Sequence, residues 1–267
     1  RSRGLGDVYK RQICYIINMK VFAISDLHLS NAVEKPMDIF GDGWQNHFAK
    51  ISEDWTSKVA DGDLVLLGGD MSWGLTIDEA KPDYDEIAKL KGQKYVVKGN
   101  HDYYWSSLGK MRTYFPSFNF VQNNAYRVES PDNPDKAVVI AGSRGWNIPS
   151  KDTPEADVKI YKRELIRLEL SLSYAKSLQK EGDKLIAMLH YPPFEATYQD
   201  TEVTALVEKY DVDFVLYGHL HGKNARVTPT VQKHGITYIL TSCDLVDNKI
   251  IEAVSYTHLT LPTTPYV

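Results

Sequence analysis

Five short polar clusters hold the side chains whose types and spacing could do chemistry. They are Asp26-Leu27-His28, Gly69-Asp70, Gly99-Asn100-His101-Asp102, His190 and Gly218-His219-Leu220-His221, and they contain five of the chain's eight histidines. Carboxylates, imidazoles and one amide, with no thiolate among them, suit Mn, Fe, Co, Ni or Zn better than Ca. Two such ions held about 3.5–4 Å apart are a standard device for driving water onto a phosphate ester. Each cluster taken alone also has a plainer explanation. Asp-x-His can be a cap or an ion pair, Gly-Asp is common turn chemistry, and Gly-Asn can serve the backbone alone. A single histidine such as His190 is most often buried and hydrogen-bonded. The combination, with every cluster following an apolar run, points to one metal site.

The elements that must position these clusters alternate between strand and helix. Residues 20–25, 63–67 and 93–98 are short apolar runs that read as buried strands. Between them, 44–60 sets Trp44, Phe48, Ile51, Trp55 and Val59 at helical steps. The span 77–90 is also helical, with Pro82 starting or kinking it. Strand, helix, strand, helix, strand predicts parallel strands with right-handed crossovers. In such sheets sites lie beyond the carboxyl ends of the strands, where Asp26, Asp70 and Asn100 fall. Further on, 125–129, 137–143, 184–190 and 212–217 read as strands and 158–180 as a long helix. Runs 236–241 and 249–254 are expected to close a second sheet. The pattern itself supports an α/β fold class, without repeats, a low-complexity linker or an interdomain boundary.

Composition places limits on partners. The chain carries a formal charge of −4. Residues 1–18 hold four cations and one acid, a net +3, so the remainder stands at −7. That balance disfavours an extended nucleic-acid surface, which needs clustered Lys and Arg. No run approaches the length of a membrane span. The two cysteines, Cys14 and Cys243, provide no disulfide framework, as expected of a cytoplasmic protein. Residues 1–18 and 255–267 lack the periodicity of the rest and resemble translated adapter sequence, so both are expected to be non-native. The domain is then 19–254. Oligomeric state is not legible.

In order and residue type the five clusters resemble the calcineurin-like metallophosphoesterase superfamily, over roughly 19–250. The whole is most similar to small bacterial predicted phosphohydrolases of the phosphodiesterase-type branch. The resemblance implies two packed mixed β-sheets flanked by helices and two divalent metal ions. By that resemblance Asp70 bridges the ions, Asp26, His28 and His221 complete the first, and Asn100, His190 and His219 complete the second. A water or hydroxide held by the metals is the implied nucleophile, and His101 the general acid for the leaving group. Asp102 is either the partner that orients His101 or a turn residue. The sequence after Asp70, Met71-Ser72-Trp73-Gly74, departs from eukaryote-type protein phosphatases, as does Asp102 after the Asn-His pair. Leu29-Ser30-Asn31 lacks the metal-binding Tyr of purple acid phosphatases.

Around the clusters the signal is open. Arg144 is a candidate grip on a phosphate oxygen, or the partner of an acid. Trp73, Tyr103, Tyr104, Trp105 and Trp146 read mainly as loop packing, with stacking on a leaving group as the sharper option. His47 and His234 read as structural or exposed, and 30–43 is a long loop and a candidate lid. The expected activity is hydrolysis of a small phosphoester substrate, as a phosphodiesterase, with a small-metabolite phosphomonoesterase as the alternative. A catalytically inactive binding scaffold is the remaining reading.

Overall fold

A computed structural model describes residues 19–130, 133–222, 225 and 227–255. The expected non-native leader, and all of the expected tail except Ser255, lie outside them. The first sheet runs through β1 (Lys20–Ile24), β2 (Leu64–Leu67), β3 (Gln93–Val96) and β4 (Phe118–Phe120), all parallel. The second has β6 (Asn133–Ser143), β7 (Lys184–Leu189), β8 (Phe214–Tyr217) and β10 (Ile236–Leu240) parallel, edged by the antiparallel β5 (Tyr126–Ser130) and β9 (Thr230–Lys233). With β11 (Ile251–Ser255) antiparallel at the free edge of β1, both sheets are mixed, and the chain has the two-sheet α/β sandwich that the resemblance implied.

The layers follow from the two-residue period of a strand. Val21, Ala23, Leu64 and Leu66 face Val138, Ile140, Ile186, Met188 and Leu216 across the gap between the sheets. Their neighbours Phe22, Ile24, Val65 and Leu67 face outward onto helices α1 (His47–Lys58) and α2 (Ile77–Ala88), through Ile51, Trp55, Tyr84 and Ile87, with Met111 of α3 (Leu108–Tyr114) completing that layer. On the far side Val139, Ala141, Leu185 and Ala187 meet α4 (Glu155–Leu178) and α5 (Glu202–Lys209) through Leu168, Leu172, Val203 and Val207. Strands covered on both faces need apolar side chains at every position, which is why β2 reads Leu-Val-Leu-Leu.

Two expectations are corrected. The run expected at 249–254 is β11 (Ile251–Ser255), but it does not join the second sheet: it pairs antiparallel with β1 in the first. The edge it would have taken beside β10 is occupied by β9, a strand whose largely polar, half-exposed residues give no apolar signal. Pro82 does not start α2. Thr76 does, with a capping box to Glu79, and Pro82 lies inside the helix. Among the described residues no helix is long and apolar enough to cross a membrane.

The two sheets touch directly at their carboxyl ends. Ser25 and Ser242 form a parallel bridge, with Ser25 N donating to Thr241 O at 2.8 Å and Cys243 N to Ser25 O at 3.1 Å. This seam carries every strand end that bears a cluster into one crevice. Leu66 is closed off between the sheets. Leu66→Ala should cost about 2–5 kcal/mol of unfolding free energy, read by urea denaturation; a loss well under 1 kcal/mol would mean that the sheets do not pack there as described.

Candidate metal centre

The chain leaves three strands through left-handed residues. Asp26, His28, Asp70 and His219 have φ of 62°, 46°, 54° and 72°, a region that disfavours a residue with a Cβ by roughly 1–2 kcal/mol. Hydrogen bonds between the loops hold these turns. Asp26 N donates to Gly69 O and His28 N to Asp70 O, both at 2.9 Å, and His219 N donates to Asp26 Oδ2 at 3.0 Å. The gain is in direction: Leu27 and Leu29 enter the core while Asp26 and His28 face the crevice. Glycine is required where loops cross. A Cβ on Gly99 would sit 2.0 Å from Asp70 Oδ1, and one on Gly218 2.5 Å from Asp26 Oδ2.

The crevice gathers all seven expected ligands. Asp70 Oδ2 lies 3.7 Å from His28 Nε2 and 3.5 Å from His190 Nε2, so one carboxylate oxygen stands between a histidine of each expected ion. Asp26 Oδ1 lies 3.4 Å from His221 Nε2 and 3.8 Å from His190 Nδ1. Asn100 Oδ1 is 2.6 Å from His190 Nε2 and 2.8 Å from His219 Nδ1. Donor atoms of Asp26, His28 and His221, and of Asp26, Asp70 and His190, come within 4.8 Å of one another. Asp26 thus belongs to both groups, whereas the resemblance assigned it to one ion. A third such group, Asp200, Glu208 and His234, is an acidic cluster at the surface around the exposed His234.

The donors fit cations on chemical grounds. His190 Nδ1 is 2.9 Å from the Gly68 carbonyl, an acceptor, so that nitrogen carries the ring proton. Burial, the larger influence, holds the His190 pKa down and keeps the ring neutral. Its Nε2 lone pair then faces the Asn100 Oδ1 atom at 2.6 Å with no proton between them, an arrangement a positive ion resolves. Asp26 Oδ1 and His28 Nδ1 are buried without hydrogen bonds. Burial pushes His28 down to about 3 and, with help from His190, His219 to about 4, so both offer lone pairs at neutral pH. Burial and the charges of Asp102 and Asp26 raise the Asp70 pKa well above the carboxylate range.

His221 is the exception. Burial works against its proton, but the hydrogen bond to Asp244 and the Asp26 carboxylate 3.4 Å away outweigh it and push the pKa up to about 10. Asp244 was not found from the sequence. Its Oδ1 is 2.8 Å from His221 Nδ1, and its Oδ2 accepts from Gly222 N at 2.9 Å, which turns His221 Nε2 toward Asp26. The one available signal was its position, just beyond the carboxyl end of β10.

Other sequence readings divide. His101 stands beside the ligand rings, 5.6 Å from His28 and 4.5 Å from Trp73, with Nδ1 free of hydrogen bonds. Asp102 makes no hydrogen bond to it among the described residues. The Asp102 carboxylate accepts instead from Asp70 N, Met71 N, Gly99 N and the Tyr104 hydroxyl, at 3.0, 2.9, 2.7 and 2.7 Å, so the loop-holding alternative fits its geometry and the orienting one does not. Arg144 donates to the buried Glu164 at 3.3 Å and lies over Trp146. Trp73 stacks on His28, Tyr104 and Trp105 pack into the core layer of the first sheet, and Tyr103 is 58% exposed. His47 bonds the Leu27 and Trp44 carbonyls, a structural role.

The calcineurin-like phosphoesterase family profile matches residues 19–223. The chain belongs to that family and is a metal-dependent phosphoester hydrolase. No curated protein matches the sequence. The fold is similar to that of TT1561 of Thermus thermophilus, 14% identical, with a TM-score of 0.57 over 88% of this chain and 97% of that one. It is also similar to GAP50, described as the anchor in the inner membrane complex of Plasmodium, 13% identical, with a TM-score of 0.50 over 85% of this chain and 72% of that one. At these identities the likeness is one of fold alone.

Two outcomes follow from His221. Below about pH 10 its ring is protonated in the metal-free fold, so metal binding at pH 8 should release at least one proton and affinity should rise with pH. Titration calorimetry in buffers of different ionisation enthalpy reads this directly; no proton release would show that His221 is not a ligand. Asp244→Ala should weaken metal binding by about 10–100-fold, measured by competition with a chelating dye, and unchanged affinity would show that Asp244 does not support the centre.

Proposed function

We propose that this phosphoesterase cleaves phosphodiesters at a centre of two divalent ions, with His101 protonating the leaving alcohol. The observation that carries the reading is where His101 lies. Its ring lines a recess of about 300 Å³ together with His28, Met37, Phe40, Trp44, Trp73 and His221. The recess adjoins the ligand imidazoles and has room for the departing half of an ester. Its lining is aromatic, apolar and imidazole, with one cation beside it, Lys35 Nζ 4.2 Å from the Trp73 ring; so sparse a positive charge favours a singly charged diester over a dianionic monoester. Loop 30–43 supplies Met37 and Phe40, the latter 66% exposed, so this segment is the wall of the recess and the candidate lid.

In this reading Asp26, His28, His221 and Asp70 would hold one ion, and Asp70, Asn100, His190 and His219 would hold the other. Their nitrogen and oxygen donors suit Mn, Fe, Zn, Co or Ni. Bound ions of this kind lower the pKa of water and draw charge from the phosphoryl oxygens. Trp73 and His28 fix the His101 ring on one side. Burial, then His190, lowers the His101 pKa; the negative charge of a bound phosphoester acts the other way, toward the near-neutral range where proton transfer is efficient. The fold is no guide to activity, since an anchor protein shares it. What supports catalysis over a scaffold is that every ligand type and His101 stand together in one crevice.

The test is turnover of an aryl phosphodiester beside the matching monoester by the full chain, stripped of metal and reloaded with Mn²⁺. The diester should be cleaved with the higher kcat/KM; faster monoester cleavage would overturn the diesterase reading. His101→Ala should keep the metal content and lose about 10²–10⁴-fold in kcat on alkyl esters, and far less when the leaving group is p-nitrophenolate. Equal losses on both, or loss of metal, would reject His101 as the acid.

A further inference from the structure

A second cleft, of about 210 Å³, is lined by Lys98, Arg144, Arg163 and Arg167, with Ser143 and Glu164. Four cations thus surround one carboxylate, in a chain whose formal charge is −4. Glu164 is already shared: it ion-pairs with Arg144 at 3.3 Å, Arg163 at 3.6 Å and Arg167 at 2.8 Å, and its Oε2 accepts from Ser143 Oγ at 3.0 Å. One carboxylate cannot neutralise three guanidinium groups. Lys98 has no ion pair among the described residues, and Arg144 Nε is buried without a hydrogen-bond partner. An unmet buried donor beside excess positive charge is what an oxyanion would satisfy, and guanidinium forks match the geometry of phosphate and carboxylate.

The cleft is coupled to the centre through the backbone and through a chain of ring contacts. Lys98 immediately precedes Gly99-Asn100. The Arg144 carbonyl accepts from His190 N at 3.1 Å and Tyr191 N at 3.0 Å. Arg144 lies 4.5 Å from the Trp146 ring, Trp146 5.1 Å from Tyr191, and Tyr191 4.0 Å from His219. These neighbours connect the cleft to the Asn100, His190 and His219 side, whereas the aromatic recess is lined by His28, His101 and His221 themselves.

We infer that this cleft binds a second anionic group of the substrate, a phosphoryl or carboxylate group on the half of the ester that does not leave. The inference rests on the phosphodiesterase reading and narrows it. The substrate is a diester with an apolar or aromatic leaving part at one end and a separate anion at the other.

Two measurements test it, one of them independent of turnover. In the first, pyrophosphate is titrated by calorimetry into the metal-stripped full chain and into the Arg163→Gln/Arg167→Gln variant. Binding should be at least tenfold weaker in the variant, at low salt; equal binding, or none to either, overturns the inference. In the second, the Mn²⁺-loaded chain cleaves thymidine 5′-(p-nitrophenyl phosphate) with and without a 3′-phosphate, so that the leaving group stays the same. The 3′-phosphate should raise kcat/KM at least tenfold through KM, and in the variant the ratio between the two substrates should fall to near one. Turnover of both at equal kcat/KM overturns the inference and leaves the phosphodiesterase reading standing. Pyrophosphate binding that the variant loses, with neither diester cleaved, supports an anion site and counts against that reading.

Discussion

One buried carboxylate sets the spacing between the second and third ligand loops. Asp102 is shut off from solvent, and its two oxygens take backbone N–H groups from Asp70, Met71 and Gly99 and the hydroxyl of Tyr104. Hydrogen bonds to a charged acceptor contribute about 1.5–3 kcal/mol each, enough to hold Asp70 in its left-handed turn. Asp70 Oδ1 in turn accepts from His101 N at 2.7 Å, so three hydrogen bonds join the ligand loop to the His101 loop. The clamp also has an electrostatic effect. Its charge adds to burial in raising the Asp70 pKa, and a carboxylate made uncomfortable in this way is a strong ligand for a divalent cation. The same interaction that positions the ligand therefore raises its appetite for metal.

The crevice has two unlike ends. Toward His28, His101 and His221 the wall is aromatic and apolar; toward Asn100, His190 and His219 it is lined by guanidinium groups. By sheet the ligands divide four on the first sheet's loops and three on the second's, so each end draws on both sheets, and the seam at Ser25 and Ser242 brings the two sets together. Polarity along the crevice thus follows the architecture: loop 30–43 after β1 builds one wall, while the turn after β6 and the outer face of α4 build the other.

Much of this was legible in the sequence, for physical reasons. Buried parallel strands must be apolar throughout, so β1, β2, β7 and β8 stand out, and polar residues directly after them have few explanations other than a site. What escaped has equally physical causes. β9 is an edge strand with half-exposed polar residues, α5 has only eight residues, and β4 only three, too few to show a period. β11 was recognised as a strand, but pattern says nothing about which edge a strand joins. Asp244 is a single acid after Cys243, without the spacing that made the histidine pair conspicuous. Asp102 was visible as a residue, yet its partners are backbone amides, and backbone amides leave no trace in side-chain pattern.

The pairing of β1 with β11 has a consequence for how the molecule comes to exist. The strand that presents Asp26 is flanked on one side by residues 64–67 and on the other by residues 251–255, and Asp26 also needs the backbone of His219 and the seam at Ser242. Contacts across such sequence separations form slowly, because long loops must close before anything rewards their closure. During synthesis the crevice therefore stays open until almost the whole described chain has left the ribosome. Isolated Asp-x-His and Gly-Asp segments emerge early, but they bring too few donors together to capture an ion tightly. Metal is acquired by a finished protein, and the ion that enters is drawn from what the surrounding compartment offers at that moment.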